Sequence, residues 1–193
     1  MDNRPYEIAP GFAFPEVKTY LSERIIYREV RPNEHVKLLH NENEKLVRQF
    51  LYILDDKKWE LEKLKELSGF SMWSFSFCNF FLFDREFGQP LGHCGYHTWS
   101  LRHQKAELGY MIYDSSNYGK GLMQEACKFV IDFGFNEMNL IRIEAMTSSS
   151  NEASKRILMK AGFREEGLLS KNYLKDGKAE DSILFGLVNP NGT

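Results

Sequence analysis

Hydrophobic positions along the chain switch between a period near two and a period near 3.6, and each switch predicts a change of element. Residues 1–22 keep no period, and Pro5, Pro10, Gly11 and Pro15 punctuate an irregular lead-in. Residues 23–30 alternate in part, through Ile25, Ile26, Tyr27 and Val30, and predict a strand. Pro32-Asn33-Glu34 opens a helical pattern that runs through Leu38 and Leu39 to Leu51. Residues 55–67 then set Trp59, Leu61, Leu64 and Leu67 at helical spacing. Strands follow over the Phe-rich 73–84, over 91–99 and over 106–113, with a turn at 85–90. Residues 121–136 predict a helix whose inward face is Leu122, Ala126, Phe129, Val130 and Phe133. A strand over 140–147 turns Ile141, Ile143 and Ala145 one way and Arg142, Glu144 and Met146 the other. Ser149 and Glu152 have capping-box spacing. They open a helix that buries Ala153, Ile157, Leu158 and Ala161 and stops at Gly162. Two last strands, 173–175 and 179–188, flank the hairpin signal Asp176-Gly177.

Runs of adjacent strands imply antiparallel pairing, and the strand–helix–strand over 106–147 implies a parallel crossover. The expected fold is therefore mixed α/β, a strongly twisted mixed sheet of about seven strands. A single domain over 22–188 would follow a lead-in at 1–21 and precede a tail at 189–193. With 193 residues, 42% of them hydrophobic, the chain can fill one core. Its 25 Lys and Arg nearly balance 27 Asp and Glu, so net charge marks neither a nucleic-acid binder nor an anionic-membrane binder. The first residues lack an apolar signal core, and the most apolar run, 70–83, is too short and too polar to span a bilayer. Three widely spaced cysteines, Cys78, Cys94 and Cys127, argue against a disulfide framework and for a reducing cytoplasm.

Chemistry concentrates at 107–124. A strand there leads through Tyr118-Gly119-Lys120-Gly121 into a helix. Unpaired N–H groups at a helix start, two glycines that let an anion approach, and the helix dipole together make a pyrophosphate seat. A plain tight turn is the competing reading.

The order of elements and five segments resemble the GNAT superfamily of N-acetyltransferases. The segments are Ser22 to Val30, Ala106 to Ile112, Tyr118 to Ala126, Asn151-Glu152-Ala153-Ser154, and Ala161-Gly162-Phe163-Arg164-Glu165-Glu166-Gly167. The likeness is strongest to the branch of ribosomal-protein N-terminal (alanine/serine) acetyltransferases. It implies helices on both faces of the sheet, a splayed central parallel strand pair, and acetyl-CoA as co-substrate. The family's phosphate loop is Arg/Gln-x-x-Gly-x-Gly/Ala; here it is Tyr118-x-x-Gly121-x-Met123, which departs at both ends and keeps the middle glycine. By resemblance Tyr118, Gly119, Lys120, Gly121, Leu122, Met123 and Gln124 cradle the pyrophosphate. Met111, Ile112 and Tyr113 offer backbone groups to the pantetheine arm, and Asn151 binds the arm or caps its helix.

Acetyl transfer to an amine needs a neutral nucleophile and a proton for the departing thiolate. Neutralising an α-amine at pH 7 costs about 1 kcal/mol, against about 4.6 for a lysine. Glu107 is the first candidate base, with pairing to Arg102 or Lys105 as its alternative. Glu144 is the second, with pairing to Arg142 as its alternative. Many relatives place an acid tyrosine seven residues after the asparagine matching Asn151; here that position is Leu158, and Ser154 is the replacement, on the same face as Asn151 so that both reach the thioester sulfur or the pantetheine, with a solvated hydroxyl as its alternative. His93 and His97 would lie roughly 13 Å apart on a strand, too far to share a metal, so no metal is expected. No cysteine stands where an acyl-enzyme would need one. The implied activity is direct acetyl transfer to a primary amine, a protein N-terminal α-amine first. A small amine such as a polyamine, amino acid or aminoglycoside comes second, and a non-catalytic CoA-binding module third. Partners are acetyl-CoA and the acceptor, without nucleic acid or membrane, in a monomer or homodimer.

Overall fold

The structure, a computed structural model, describes residues 17–67 and 76–192, and side chains within them except those of 65–67. An eight-stranded sheet runs in the order β1-β2-β3-β4-β5-β6-β8-β7. Its strands are β1 (Thr19–Leu21), β2 (Ile25–Val30), β3 (Ser76–Asp84), β4 (Pro90–Ser100), β5 (Lys105–Ile112), β6 (Arg142–Ser148), β7 (Arg164–Lys175) and β8 (Lys178–Val188). Only β5 and β6 pair in parallel; every other neighbour pair is antiparallel. The helices are α1 (Pro32–Leu39), α2 (Glu44–Phe50), α3 (Asp56–Leu67), α4 (Leu122–Asn136) and α5 (Glu152–Lys160).

Strand alternation sorts side chains to two cores. Tyr27, Phe80, Leu82, Cys94, Tyr96 and Leu108 face α4 and α5 in the larger one, which also takes Val130 and Leu158. Tyr96 donates its hydroxyl to the Val130 carbonyl at 2.8 Å and so ties β4 to α4. Val30, Phe81 and Phe83 face the other way and pack with Leu38, Val47, Phe50 and Trp59 of α1–α3. Helices thus cover both faces, but α1–α3 cover only the β2–β3 side.

Several expectations need correction. Thr19–Leu21 pairs with β2 and belongs to the sheet, which raises the strand count to eight. The helical pattern from Pro32 breaks at 40–43, where Asn43 accepts from Leu46 N and starts α2. In α3 only Trp59 is buried among the described apolar positions, while Leu61 and Leu64 are exposed. Residues two apart on a helix face away from each other, so Trp59 and Leu61 cannot share an inward face. Asn151, not Ser149, caps α5, and Ala153 is exposed. β7 begins at Arg164 rather than 173 because, as the edge strand, most of its residues are exposed and carry no apolar alternation. Asp176 and Gly177 both take positive φ, +49° and +77°, as the hairpin signal predicts. Cys78, Cys94 and Cys127 are free and buried; Cys78 touches Glu29 rather than packing only against apolar groups. Trp73 and Phe75 lie outside the described residues.

Candidate active site

The turn between β5 and α4 is built by local hydrogen bonds. The Asp114 carboxylate accepts from Ser116 N at 2.8 Å and starts a single 3-10 turn at Ser115–Asn117. Gly119 and Gly121 then take left-handed φ values of +73° and +76°, which an L side chain adopts only at about 1–2 kcal/mol. Gly121 caps α4, and the first helical bond runs from Glu125 N to Gly121 O at 3.1 Å. Among the described residues, no backbone hydrogen bond is donated by residues 119–124.

The loop is held from behind. Arg24 donates from Nη1 to the Lys120 carbonyl at 2.8 Å and from Nε to Glu125 at 2.8 Å. Ser22 Oγ and Arg24 N donate to the other Glu125 oxygen at 2.6 and 3.0 Å. Burial pushes the Glu125 carboxyl up, but these donors outweigh it and hold it low. Leu122 and Met123 point their side chains into the core, while Tyr118, Gly119, Lys120 and Gly121 are exposed. What the loop offers is therefore a bare, preformed row of amides at a helix N-terminus, which fits a diphosphate. The sequence reading missed the brace of Arg24 and Glu125, since their contact spans 101 residues.

β5 pairs along its length with β4 but meets β6 only from Lys105↔Arg142 to Glu107↔Glu144. Beyond that rung the two strands splay. Tyr113 N is bonded to Leu91 O on the β4 side at 3.0 Å. Backbone groups of successive strand residues alternate in direction, so Met111 also faces β4. Ile112 and Tyr110 carry the groups aimed into the gap. Of the three residues expected to meet the pantetheine arm, Ile112 has that geometry; Met111 and Tyr113 do not.

Glu107 and Glu144 stand side by side on the last paired rung, on the face away from α4. Glu144 is fully engaged: Lys105 Nζ reaches its two oxygens at 3.0 and 3.1 Å, and Arg142 Nε lies 2.9 Å away. Arg142 also binds Glu166 of β7. Burial raises Glu144, and Arg142 and Lys105 more than reverse it. Lys105 has thus turned to Glu144 rather than Glu107. Burial pushes Glu107 up; His97 pulls it down and the Glu144 charge pushes it further up, with a net upward shift. Two adjacent carboxylates are driven apart, one held ionised and one made more basic.

Across the splay, Asn151 Oδ1 accepts from Ser154 N at 3.1 Å, the bond of a helix cap. Ser154 Oγ lies 2.8 Å from the Tyr110 hydroxyl, which also sits 3.3 Å from the Ser154 carbonyl. Leu158 is sealed in the core and can present nothing to a ligand. Tyr110 escaped the sequence reading because its alternation marks it as a core position. His93 and His97 serve different partners: His93 Nδ1 is 3.2 Å from the Tyr113 hydroxyl, and His97 Nδ1 is 3.6 Å from Glu107. Among the described residues, no group of three or more His, Cys, Asp or Glu could hold a metal ion. Nor is any described helix long and apolar enough to cross a membrane.

Residues 24–164 match the family model of the acetyltransferase (GNAT) domain. The probable N-acetyltransferase YjcK of Bacillus subtilis is 42% identical over 87 residues, 45% of this chain and 48% of its own length. The chain spans about half the length of the curated relatives it matches. Among solved structures, the ribosomal-protein-S5-alanine acetyltransferase of Vibrio fischeri superposes with a TM-score of 0.67 at 24% identity, covering 91% of this chain and 99% of that one. The spermidine N-acetyltransferase of Vibrio cholerae, in complex with CoA and spermine, gives 0.63 at 16% identity, covering 86% and 96%. At these identities the structural matches speak to the fold.

Proposed function

The chain belongs to the GNAT acetyltransferase family, and from that premise we propose that it transfers an acetyl group from acetyl-CoA directly to a primary amine, first a protein N-terminal α-amine. The observation that carries the proposal is the row of unengaged amides at 119–124, placed at the mouth of a splay whose last rung holds Glu107. The thioester supplies the activated acetyl group. Residues 119–124 bind the diphosphate through backbone N–H, and the gap-facing groups of Ile112 and Tyr110 bind the arm. Glu107 takes one proton from the amine, and Ser154, oriented by Tyr110, hands its proton to the departing sulfur and is refilled by the other proton the nitrogen sheds as the amide forms. Burial keeps Glu107 basic, and Glu144, held ionised by Lys105 and Arg142, adds to the shift. Positioning by the two strands accounts for the larger share, since alignment of reactants contributes roughly 7–11 kcal/mol.

A sequence relative, the spermidine N(1)-acetyltransferase of Escherichia coli, supports a polyamine as the second reading. A polycation calls for carboxylates without partners, and Glu144 and Glu166 are both committed to Arg142. That arrangement supports the single α-amine. The test is thiol release from acetyl-CoA over a panel of N-terminal peptides, spermidine, amino acids and aminoglycosides, with CoA binding measured alongside. Turnover restricted to peptides is the expected outcome. Turnover on spermidine alone would transfer the assignment to polyamines, and CoA binding without turnover on any amine would leave a regulatory module.

A further inference from the structure

The ladder between β4 and β5 breaks just beside Glu107. His97 pairs with Glu107, and pairing resumes only at Ser100↔Lys105. Inside the break Thr98 takes φ +50°, a left-handed conformation that a β-branched residue rarely adopts. In an unbroken strand His97 and Thr98 would point to opposite faces. Here both reach one carboxylate oxygen: Thr98 Oγ1 is 3.5 Å and His97 Nδ1 3.6 Å from Glu107 Oε2. Such irregularities re-aim side chains next to active sites. Contacts of this kind are commonly long without substrate and tighten when it binds.

Gly109 makes the arrangement possible. A Cβ there would stand 2.8 Å from His97 Nε2 and 3.0 Å from Cδ2. Gly109 lies two residues beyond Glu107 on the same face, so the missing side chain is the space the imidazole occupies. The ring is 49% exposed and the carboxylate beneath it only 16%. His97 therefore stands between Glu107 and solvent.

Resting on the proposal that Glu107 is the base, we infer that His97 is the outlet for the proton Glu107 collects. As the N–C bond forms and the C–S bond breaks, an arriving ammonium loses two protons. One ends on the departing sulfur and the other must reach water. Glu107 accepts that second proton, His97 takes it at Nδ1, and the imidazolium yields it to solvent, which returns both groups to their starting charge. Histidine is suited to this because its ordinary pKa, about 6.5, lies close to working pH. The charged and titratable groups around the pair are Lys105 on β5, Glu144 on β6, and His93 farther along β4. Lys105 and Glu144 are bound to each other, which leaves His97 as the proton-carrying neighbour of Glu107.

The test compares His97→Asn, His97→Gln and Glu107→Gln in the whole chain. The readouts are CoA affinity and kcat/KM against pH with the amine that the wild type acetylates, with and without added imidazole. We expect both His97 variants to lose about tenfold or more in kcat/KM, to keep CoA affinity, to change the pH profile, and to recover in part with imidazole. Asparagine keeps a donor near the Nδ1 position but cannot take up and release a proton near neutral pH, so a fully active His97→Asn overturns the relay. A loss that imidazole does not relieve, or a pH profile left unchanged, overturns it as well. Inactive Glu107→Gln beside fully active His97 variants removes the relay and keeps the base; full activity in both removes the base itself.

Discussion

Two glutamates share one rung at the centre of the sheet, and their surroundings give them opposite characters. Glu107 is shifted upward chiefly by burial, so its ionised form weighs against the fold. That penalty is absent below the ordinary glutamate pKa and grows as pH rises toward the raised folded value. At pH 7 Glu107→Gln should therefore melt no lower than wild type, while kcat falls about 10²–10⁴-fold. A lowered melting temperature would mean that Glu107 stabilises the fold. Glu144 carries the opposite sign: its folded value is depressed, so its contribution is present above the ordinary value and is lost as pH falls through the lowered one. Because the pair with Lys105 is partly exposed, that contribution is small. Ser154→Ala should lower kcat about tenfold or more with CoA affinity unchanged, and Tyr110→Phe should follow it in the same direction. A full-rate Ser154→Ala would remove the serine from the chemistry. Glu107, Glu144 and Ser154 were legible as candidates because each holds a readable place on a strand or in a helical turn. The Arg142 partner of Glu144 was legible as well, two residues away on the same strand; the contacts of Lys105 with Glu144, Tyr110 with Ser154 and His97 with Glu107 were not, because they cross between elements.

The element that matters most is the start of α4. Its glycines, its inward face and its position after β5 were all visible in the sequence, since they are local. Gly121→Glu brings a left-handed φ that costs an L residue about 1–2 kcal/mol and sets a carboxylate where a diphosphate is to sit. Isothermal titration should find CoA binding abolished while the circular dichroism spectrum is kept; an unchanged affinity contradicts the seat. Elsewhere the elements misread were those whose pattern tertiary contacts override. β7, as an edge strand, has little buried alternation to display. α5 is capped by Asn151 rather than Ser149 because the asparagine carboxamide accepts from Ser154 N, and two overlapping cap signals cannot be separated by spacing alone.

At the scale of the molecule, the order of elements was legible almost entirely, because alternation, turns and the strand–helix–strand crossover are each encoded locally. β1 was not, since three residues on an edge carry too little pattern. The two cores divide the labour proposed here. The larger one, under α4 and α5, supports the cofactor side, and the smaller one fixes α1–α3 over β2 and β3. Phe50 is buried in the smaller core against Phe81 and Phe83. Phe50→Ala should cost about 3–5 kcal/mol, speed hydrogen exchange in α1–α3 before α4, and leave the Kd for CoA nearly unchanged. Exchange speeded equally in α4, or weakened CoA binding, would contradict that division. All of it depends on what the amides of residues 119–124 hold. The most direct measurement is a CoA titration followed by amide NMR of the isotopically labelled chain. Gly119, Lys120, Gly121, Leu122, Met123 and Gln124 are predicted to give the largest saturable shifts, with Ile112 and Ser154 moving in the same titration. CoA that leaves those six resonances in place, or that does not bind, contradicts the account.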